Sequence, residues 1–270
     1  MDNPIPVLLD PSSEVVTLTL ARPAALNALD LASIVALGRA VDEVAAMPHA
    51  RVLLVRGEGR SFCGGGDVAA MHAERADLPG FIERMIDGFH ATVLALNRLS
   101  IPAIASVHGA VAGGGISLAL ACDLVVAARG TRFVTAYARL GTSADGGLSF
   151  RLAQRLGAAR AFELLTLHGT LDADEALRLG LINQVVDADR ADDEALRWAR
   201  QLASMPPQSI AEMKGLTATQ VHDALQAHLS REKLAFIRCA ETADFKDRVA
   251  AFAQRESAAS PRNDDGQRAG

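Results

Sequence analysis

The sequence predicts an α/β fold. A strand–helix core is expected over residues 1–190, a helical region over 191–256 and a disordered tail over 257–270. Three observations carry this. Short apolar runs such as VLLV at 52–55 and AIASV at 103–107 have the composition of strands buried on both faces. Segments with apolar residues at helical spacing alternate with these runs. From about residue 189 onward only the helical spacing remains.

Taken in order, VVTLTL at 15–20 is rich in β-branched and apolar residues and reads as a strand. RPAALNAL at 22–29 is a connection. Asp30 caps the helix that follows, with Leu31, Ile34, Val35, Val41 and Val44 on one face and Gly38 filling the turn between them. A glycine-rich turn at 64–66 follows the 52–55 strand, and 81–99 repeats apolar residues at helical spacing. Pro102 opens the 103–107 strand. VHGAVAGGGISLALACDLVVAA then reads as a strand end, a glycine turn, a helix over 114–121 and a strand over 124–128. A short strand is expected at 131–134 and helices near 147–156 and 158–168. Asp172 caps a helix at 173–179 that Gly180 ends. The remaining helices fall at 190–204, 208–218, 221–238 and 242–255, and the polar segment from Ser257 is expected to be disordered.

Half of the 270 residues are hydrophobic and 22% are charged, so a large core is available. Aromatics make up only 4%, which leaves that core to Leu, Val, Ile and Ala. With 27 basic against 32 acidic residues there is no excess of positive charge for a nucleic-acid partner. Cys63, Cys122 and Cys239 are far apart with no CxxC pair, so neither a disulfide framework nor a metal site is expected. MDNPIPVLLD lacks the apolar run of a signal peptide. The apolar stretches elsewhere are interrupted by Gly, Ser, His or Asp before membrane-spanning length. The expectation is a soluble cytoplasmic protein with no membrane partner.

The informative feature is a pair of glycine turns. SFCGGGD (61–67) follows one buried strand and GAVAGGGIS (109–117) follows another, each leading into a helix. Residues without Cβ atoms let a ligand approach the backbone, and a helix start supplies free N–H donors with a partial positive charge. Two such donors converging on one oxygen form an oxyanion hole. The plain alternative is two tight turns with close packing. Neither turn continues into GK[ST], and neither has a GxGxxG pattern.

In order and spacing, RPAALNAL, SFCGGGD, IPAIASVHGAVAGGGISLALACDLVVAA, FVTAYARLGTSADGG and LDADEALRLGLINQVV resemble the crotonase (enoyl-CoA hydratase/isomerase) superfamily, from about residue 14 to 255. The resemblance implies a spiral of ββα units with a C-terminal helical trimerisation region, assembled as a homotrimer or a dimer of trimers. It implies an acyl-CoA thioester substrate, with CoA part of the substrate and neither a separate cofactor nor a metal. It assigns the two backbone donors to Gly66 and Gly114 and draws Gly64, Gly65 and Asp67 into the same turn, Asp67 also capping the next helix. Ala24 and Leu26 match the connection that borders CoA in relatives. Lys246 and Arg255 are candidates for a CoA phosphate.

The chain departs from the hydratase pattern of that family at two positions. Hydratases carry glutamates where this sequence has Ser117 and Tyr137. A serine and a tyrosine are poor bases near neutral pH, so simple hydration is not expected. Asp145 matches the acid of isomerase-like members. One carboxylate suffices to take a proton from one carbon and return it to another, and an apolar cavity raises its basicity. Its plain alternative is a helix cap near Gly146. Tyr137 and Ser117 are expected at the pocket, and His90 is a candidate to face the site from a long helix. His108 and Cys63 are read as structural.

The leading expectation is an acyl-CoA isomerase working through an oxyanion-stabilised thioester enolate. The alternatives are an aryl-CoA dehalogenase-like hydrolase with Asp145 as nucleophile, an enoyl-CoA hydratase, and a non-catalytic acyl-CoA-binding protein.

Overall fold

A computed structural model describes residues 5–259. The main sheet has the order β1 (Val7–Asp10), β2 (Val15–Leu20), β3 (Val52–Gly57), β4 (Ala103–Val107), β6 (Leu124–Ala128), β9 (Gln184–Val186). Pairing is antiparallel between β1 and β2 and parallel across the rest. Every residue of β4 is buried, as its continuous apolar run requires of a strand covered on both faces. A second sheet joins β5 (Ala110–Ala112), β7 (Arg132–Val134) and β8 (Thr170–Asp172). The sequence reading missed β1, β5, β8 and β9, each of three or four residues and too short to show a period.

Helix α1 (Leu31–Ala46) starts where Asp30 accepts the Ser33 N–H at 2.7 Å. It buries Ile34, Leu37, Val41 and Val44. Val35, expected on that face, is exposed, because the 34–37–41–44 rows already fill the groove against α3 (Leu78–Arg98). Between β3 and α3 lies the short α2 (Val68–Ala73), capped by Asp67 as expected. α4 (Gly114–Ala121) follows the second glycine turn and is buried almost throughout.

α5 (Tyr137–Leu140), α6 (Leu148–Leu156) and α7 (Ala158–Glu163) follow, α7 running into a π turn at Leu164–His168. α8 (Ala173–Arg178) is capped by Asp172, which accepts the Glu175 N–H. Beyond the last strand, α9 (Ala191–Ala203) lays Ala195, Ala199 and Ala203 on Val52, Leu54, Ile104 and Val126, covering the second face of the main sheet. The small alanine stripe lets the helix sit close to the β-branched surface.

Where two helices were expected at 208–218 and 221–238, one continuous α10 spans Pro207–Ala240. The chain has neither proline nor glycine between 216 and 240, so nothing interrupts the backbone ladder. α11 (Ala243–Ala259) continues through Ser257, where the tail was expected to begin, and 260–270 lie outside the described residues. No described helix is long and apolar enough to cross a membrane.

Candidate active site

The two glycine turns are hydrogen-bonded to each other. Cys63 and Val111 form a parallel bridge. Phe62 N–H donates to His108 O (2.9 Å), Cys63 N–H to Ala110 O (3.3 Å) and Ala112 N–H to Cys63 O (2.9 Å). Gly65 sits at φ +91°, and a Cβ there would lie 2.7 Å from Ala112 O, so a side chain would force the turns apart. Gly66 and Gly114 are thereby brought to the wall of one cavity of about 1100 Å³. Among the described residues neither of their N–H groups has a protein acceptor. Gly114 opens α4, so its amide is one of the unpaired donors at the positive end of that helix.

Ala24 and Leu26 also line the cavity. Their connection is held by Asn27, which is buried. Its side chain donates to Glu58 O (2.9 Å) and Ser61 O (2.8 Å) and accepts the Arg22 N–H (2.8 Å). Gly64 N–H donates to Leu26 O at 2.8 Å, tying the connection to the first glycine turn. Leu26 and Asn27 both have positive φ, a local strain that this network overcomes.

Asp145 reaches the cavity from the turn between α5 and α6. Its backbone carbonyl accepts the Ser117 hydroxyl at 2.6 Å and the Tyr137 hydroxyl at 3.4 Å. Its carboxylate Oδ1 lies 2.5 Å from His90 Nε2. At that separation Nε2 carries the hydrogen and donates, which leaves the Gly146 N–H, 3.4 Å from the same nitrogen, without a lone pair to point at. Gly146 has φ +65°, and a Cβ there would fall 2.7 Å from Ser117 Cβ, so glycine is required for the Asp145 turn to seat on α4.

The placement of the expected residues divides them. Gly64, Gly65, Gly66, Asp67, Gly114, Tyr137, Asp145, Ala24 and Leu26 all line the cavity. Ser117 and His90 do not. Ser117 is fully buried beneath Asp145, because its short side chain is spent on the Asp145 carbonyl, and His90 touches the site only through the Asp145 carboxylate. Asp145 does not cap α6. Arg255 lines the cavity, Lys246 does not, and Arg22, Arg60, Arg139 and Arg248 are further cationic lining residues that the sequence reading passed over. Tyr137 keeps its proton: burial first, then the Asp145 charge, push its pKa well above the usual tyrosine range. Burial pushes the Cys63 thiol up to about 12, in keeping with a packing role.

Two carboxylates stand among the described lining residues, Asp67 and Asp145. Asp67 is engaged by Arg22 Nη2 (3.0 Å) and the Ala70 N–H (2.9 Å). Asp145 has no arginine partner among the described residues.

Sequence reasoning missed Glu232 of α10. Its carboxylate accepts the N–H groups of Gly147 (2.7 Å) and Ser149 (3.1 Å) and the Ser149 hydroxyl (2.5 Å), so it caps α6 in place of Asp145. No local signal reports a partner 85 residues away. One ligating atom each of His90, Asp145 and Glu232 lies within 4.8 Å of the other two. The direct His90–Asp145 hydrogen bond is too short to bracket an ion, since ligands at about 2.1 Å from one metal stand roughly 3 Å or more apart. The pair is hydrogen-bonded, and Glu232 stands beside it with its own bonds directed to Gly147 and Ser149.

A family model described as enoyl-CoA hydratase/isomerase matches residues 10–259. The chain is 34% identical over 247 residues to a 1,2-epoxyphenylacetyl-CoA isomerase of Escherichia coli K12, covering 90% of this chain and 93% of that protein. It is 33% identical over 256 residues to a probable enoyl-CoA hydratase, EchA12, of Mycobacterium tuberculosis H37Rv, covering 92% and 89%. A crystal structure of an enoyl-CoA hydratase from Mycobacterium avium subsp. paratuberculosis K-10 superposes with a TM-score of 0.83 at 28% identity, covering 93% of this chain and all of that one.

Proposed function

The chain belongs to the enoyl-CoA hydratase/isomerase family and has its crotonase-like fold; from that premise we propose that it is an acyl-CoA isomerase. The observation that carries this reading is Asp145, the lining carboxylate without an arginine partner among the described residues, in the same cavity as the unpaired Gly66 and Gly114 amides. The amides hold the thioester oxygen and stabilise negative charge developing there. Asp145 takes a proton from the carbon beside the thioester and returns it further along the unsaturated chain, so the double bond moves and no atom is added. The hydroxyls of Ser117 and Tyr137 fix the backbone of Asp145. Hydration would need a second group to hold and activate water, and the two positions where hydratases carry it are occupied by those hydroxyls.

The cationic residues along the rim, Arg255 among them, suit the phosphates of CoA. CoA enters as part of the substrate and no further cofactor is invoked. A homotrimer or dimer of trimers acting in the cytoplasm completes the proposal. The test is turnover of 3-enoyl-CoA and 2-enoyl-CoA panels. Isomerisation of the first, abolished by Asp145→Asn, is expected. Hydration of 2-enoyl-CoA at a rate untouched by Asp145→Ala defeats the reading. Tight acyl-CoA binding with no turnover of any panel member, unchanged by Asp145→Asn, selects a binding protein instead.

The His90–Asp145 contact supports a second reading, hydrolytic dehalogenation of an aryl-CoA. Asp145 would attack the ring carbon and expel halide, and water activated at His90 would then hydrolyse the aryl ester. Oxygen from labelled water would enter Asp145 during turnover, whereas proton transfer leaves its oxygens unchanged.

A further inference from the structure

Behind the His90–Asp145 pair a second chain of polar groups leads away from the cavity. His228 and Glu232 stand one turn apart on α10 and both reach Ser149 of α6. His228 Nε2 lies 2.7 Å from Ser149 Oγ, and Ser149 Oγ lies 2.5 Å from Glu232 Oε1. His228 Nδ1 lies 3.4 Å from Arg231 Nη2, on the side of the ring away from Ser149, and burial followed by the Arg231 charge holds the His228 pKa below the usual histidine range, so a proton taken up there is readily passed on. The His228 side chain is 26% exposed and that of Glu232 only 5%. One carboxylate oxygen of Glu232 lies within 4.8 Å of a ligating atom of His90 and of Asp145, a separation that a single bridging water can span. None of His228, Ser149 and Glu232 lines the acyl cavity.

We propose that His228, Ser149 and Glu232 form a proton relay that connects the buried His90–Asp145 pair to solvent by a route separate from the substrate cavity. Inward, protonated His228 gives up its Nε2 hydrogen to Ser149 Oγ. The Ser149 O–H bond breaks as an O–H bond forms on Glu232. The net change is imidazolium plus carboxylate to neutral imidazole plus carboxylic acid. From Glu232 the proton passes through one water to Asp145. The outward direction reverses each step.

The groups facing Glu232 fit this use. Burial, then the neighbouring Asp145 charge, raise its pKa above the usual glutamate range, so it holds a proton more readily than an exposed glutamate would. Arg151 of α6, also buried, supplies positive potential nearby and has Nε and Nη2 without partners among the described residues. While substrate fills the cavity, this route remains the path by which a proton on Asp145 can exchange. It would let the enzyme reset its acid when product leaves in the wrong protonation state.

The inference rests on the reading of Asp145 as proton carrier, and the experiment separates the two. The probe is 3-hexenoyl-CoA deuterated at C2, converted in ordinary water. The measurement is the fraction of deuterium retained at C4 of the product against the fraction lost to solvent. Wild type is expected to lose deuterium within the turnover. Ser149→Ala breaks the relay while leaving the Glu232 bonds to the Gly147 and Ser149 amides, and should raise retention several-fold. Ser149→Thr, which restores a hydroxyl, should bring loss back. A purely structural role for Ser149 would lower kcat without changing this partition. Complete retention in wild type, or an unchanged partition in Ser149→Ala, overturns the relay and leaves the isomerase reading standing. Turnover in Asp145→Asn equal to wild type removes both.

Discussion

His90 Nε2 and Asp145 Oδ1 stand 2.5 Å apart, and of the two residues only Asp145 lines the cavity. The histidine therefore reaches the cavity only through the carboxylate. It orients the Asp145 carboxylate, while the backbone carbonyl of Asp145 is pinned by the Ser117 and Tyr137 hydroxyls.

Asp145→Asn should lower kcat for 3-enoyl-CoA isomerisation by about 10²–10⁴-fold, the usual contribution of a positioned acid–base group. KM should move much less, because the asparagine keeps the shape of the wall. Growth of the conjugated thioester absorbance measures both. His90→Gln, which preserves a donor to Oδ1, should cost less than His90→Ala.

Gly65→Ala should destabilise the protein by about 1–3 kcal/mol, since it adds a side chain at φ +91° and crowds the Ala112 carbonyl. The two turns then separate, and kcat should fall with the loss of convergence between the Gly66 and Gly114 amides. Denaturant unfolding and steady-state kinetics on the same sample check the pair of effects. Intact activity in a destabilised variant would show that the amides do not converge on the reacting oxygen.

Most of this architecture is visible in the chain itself. VLLV, AIASV and the 114–121 helix are written in continuous or periodic apolar residues, and Asp30, Asp67 and Asp172 each cap the helix that follows them. The glycine turns are legible because their composition is local to a few adjacent residues, whereas Asp145 stands out only through the family resemblance, its own neighbourhood reading equally well as a helix cap. The roles of Ser117 and His90 are not, since an inward helix residue looks the same whether it faces a ligand or supports the side chain that does. Glu232 is wholly hidden: its partners Gly147 and Ser149 come from a distant helix start, and hydropathy carries no trace of that pairing.

Cys63 and Cys122 are buried, and burial pushes both thiols up to about 12. Cys239 is partly exposed. Iodoacetamide at neutral pH should therefore label the native protein at Cys239 alone and the denatured protein at all three cysteines. Peptide mass spectrometry reads the sites, and rapid native labelling of Cys63 would contradict the closed packing of the first glycine turn.

Glu232 supplies a pH dependence of stability. Its folded pKa is raised, by burial first and by Asp145 second. Between the ordinary and the raised value the folded state binds more protons than the unfolded one, so this contribution is full at low pH and is lost as pH rises through the raised value. In Glu232→Gln that falling component should vanish, and the curve of unfolding free energy against pH should flatten relative to wild type. Parallel curves would show that another group titrates there.

The carboxylate that closes the first turn of α6 sits 85 residues further along the chain than the amide it receives. During synthesis the loop holding Asp145 must wait, with the amides of Gly147 and Ser149 uncapped, until most of α10 has left the ribosome. Chains released early would carry both glycine turns and Asp145, yet leave the Gly147 and Ser149 amides beside Asp145 without their carboxylate partner.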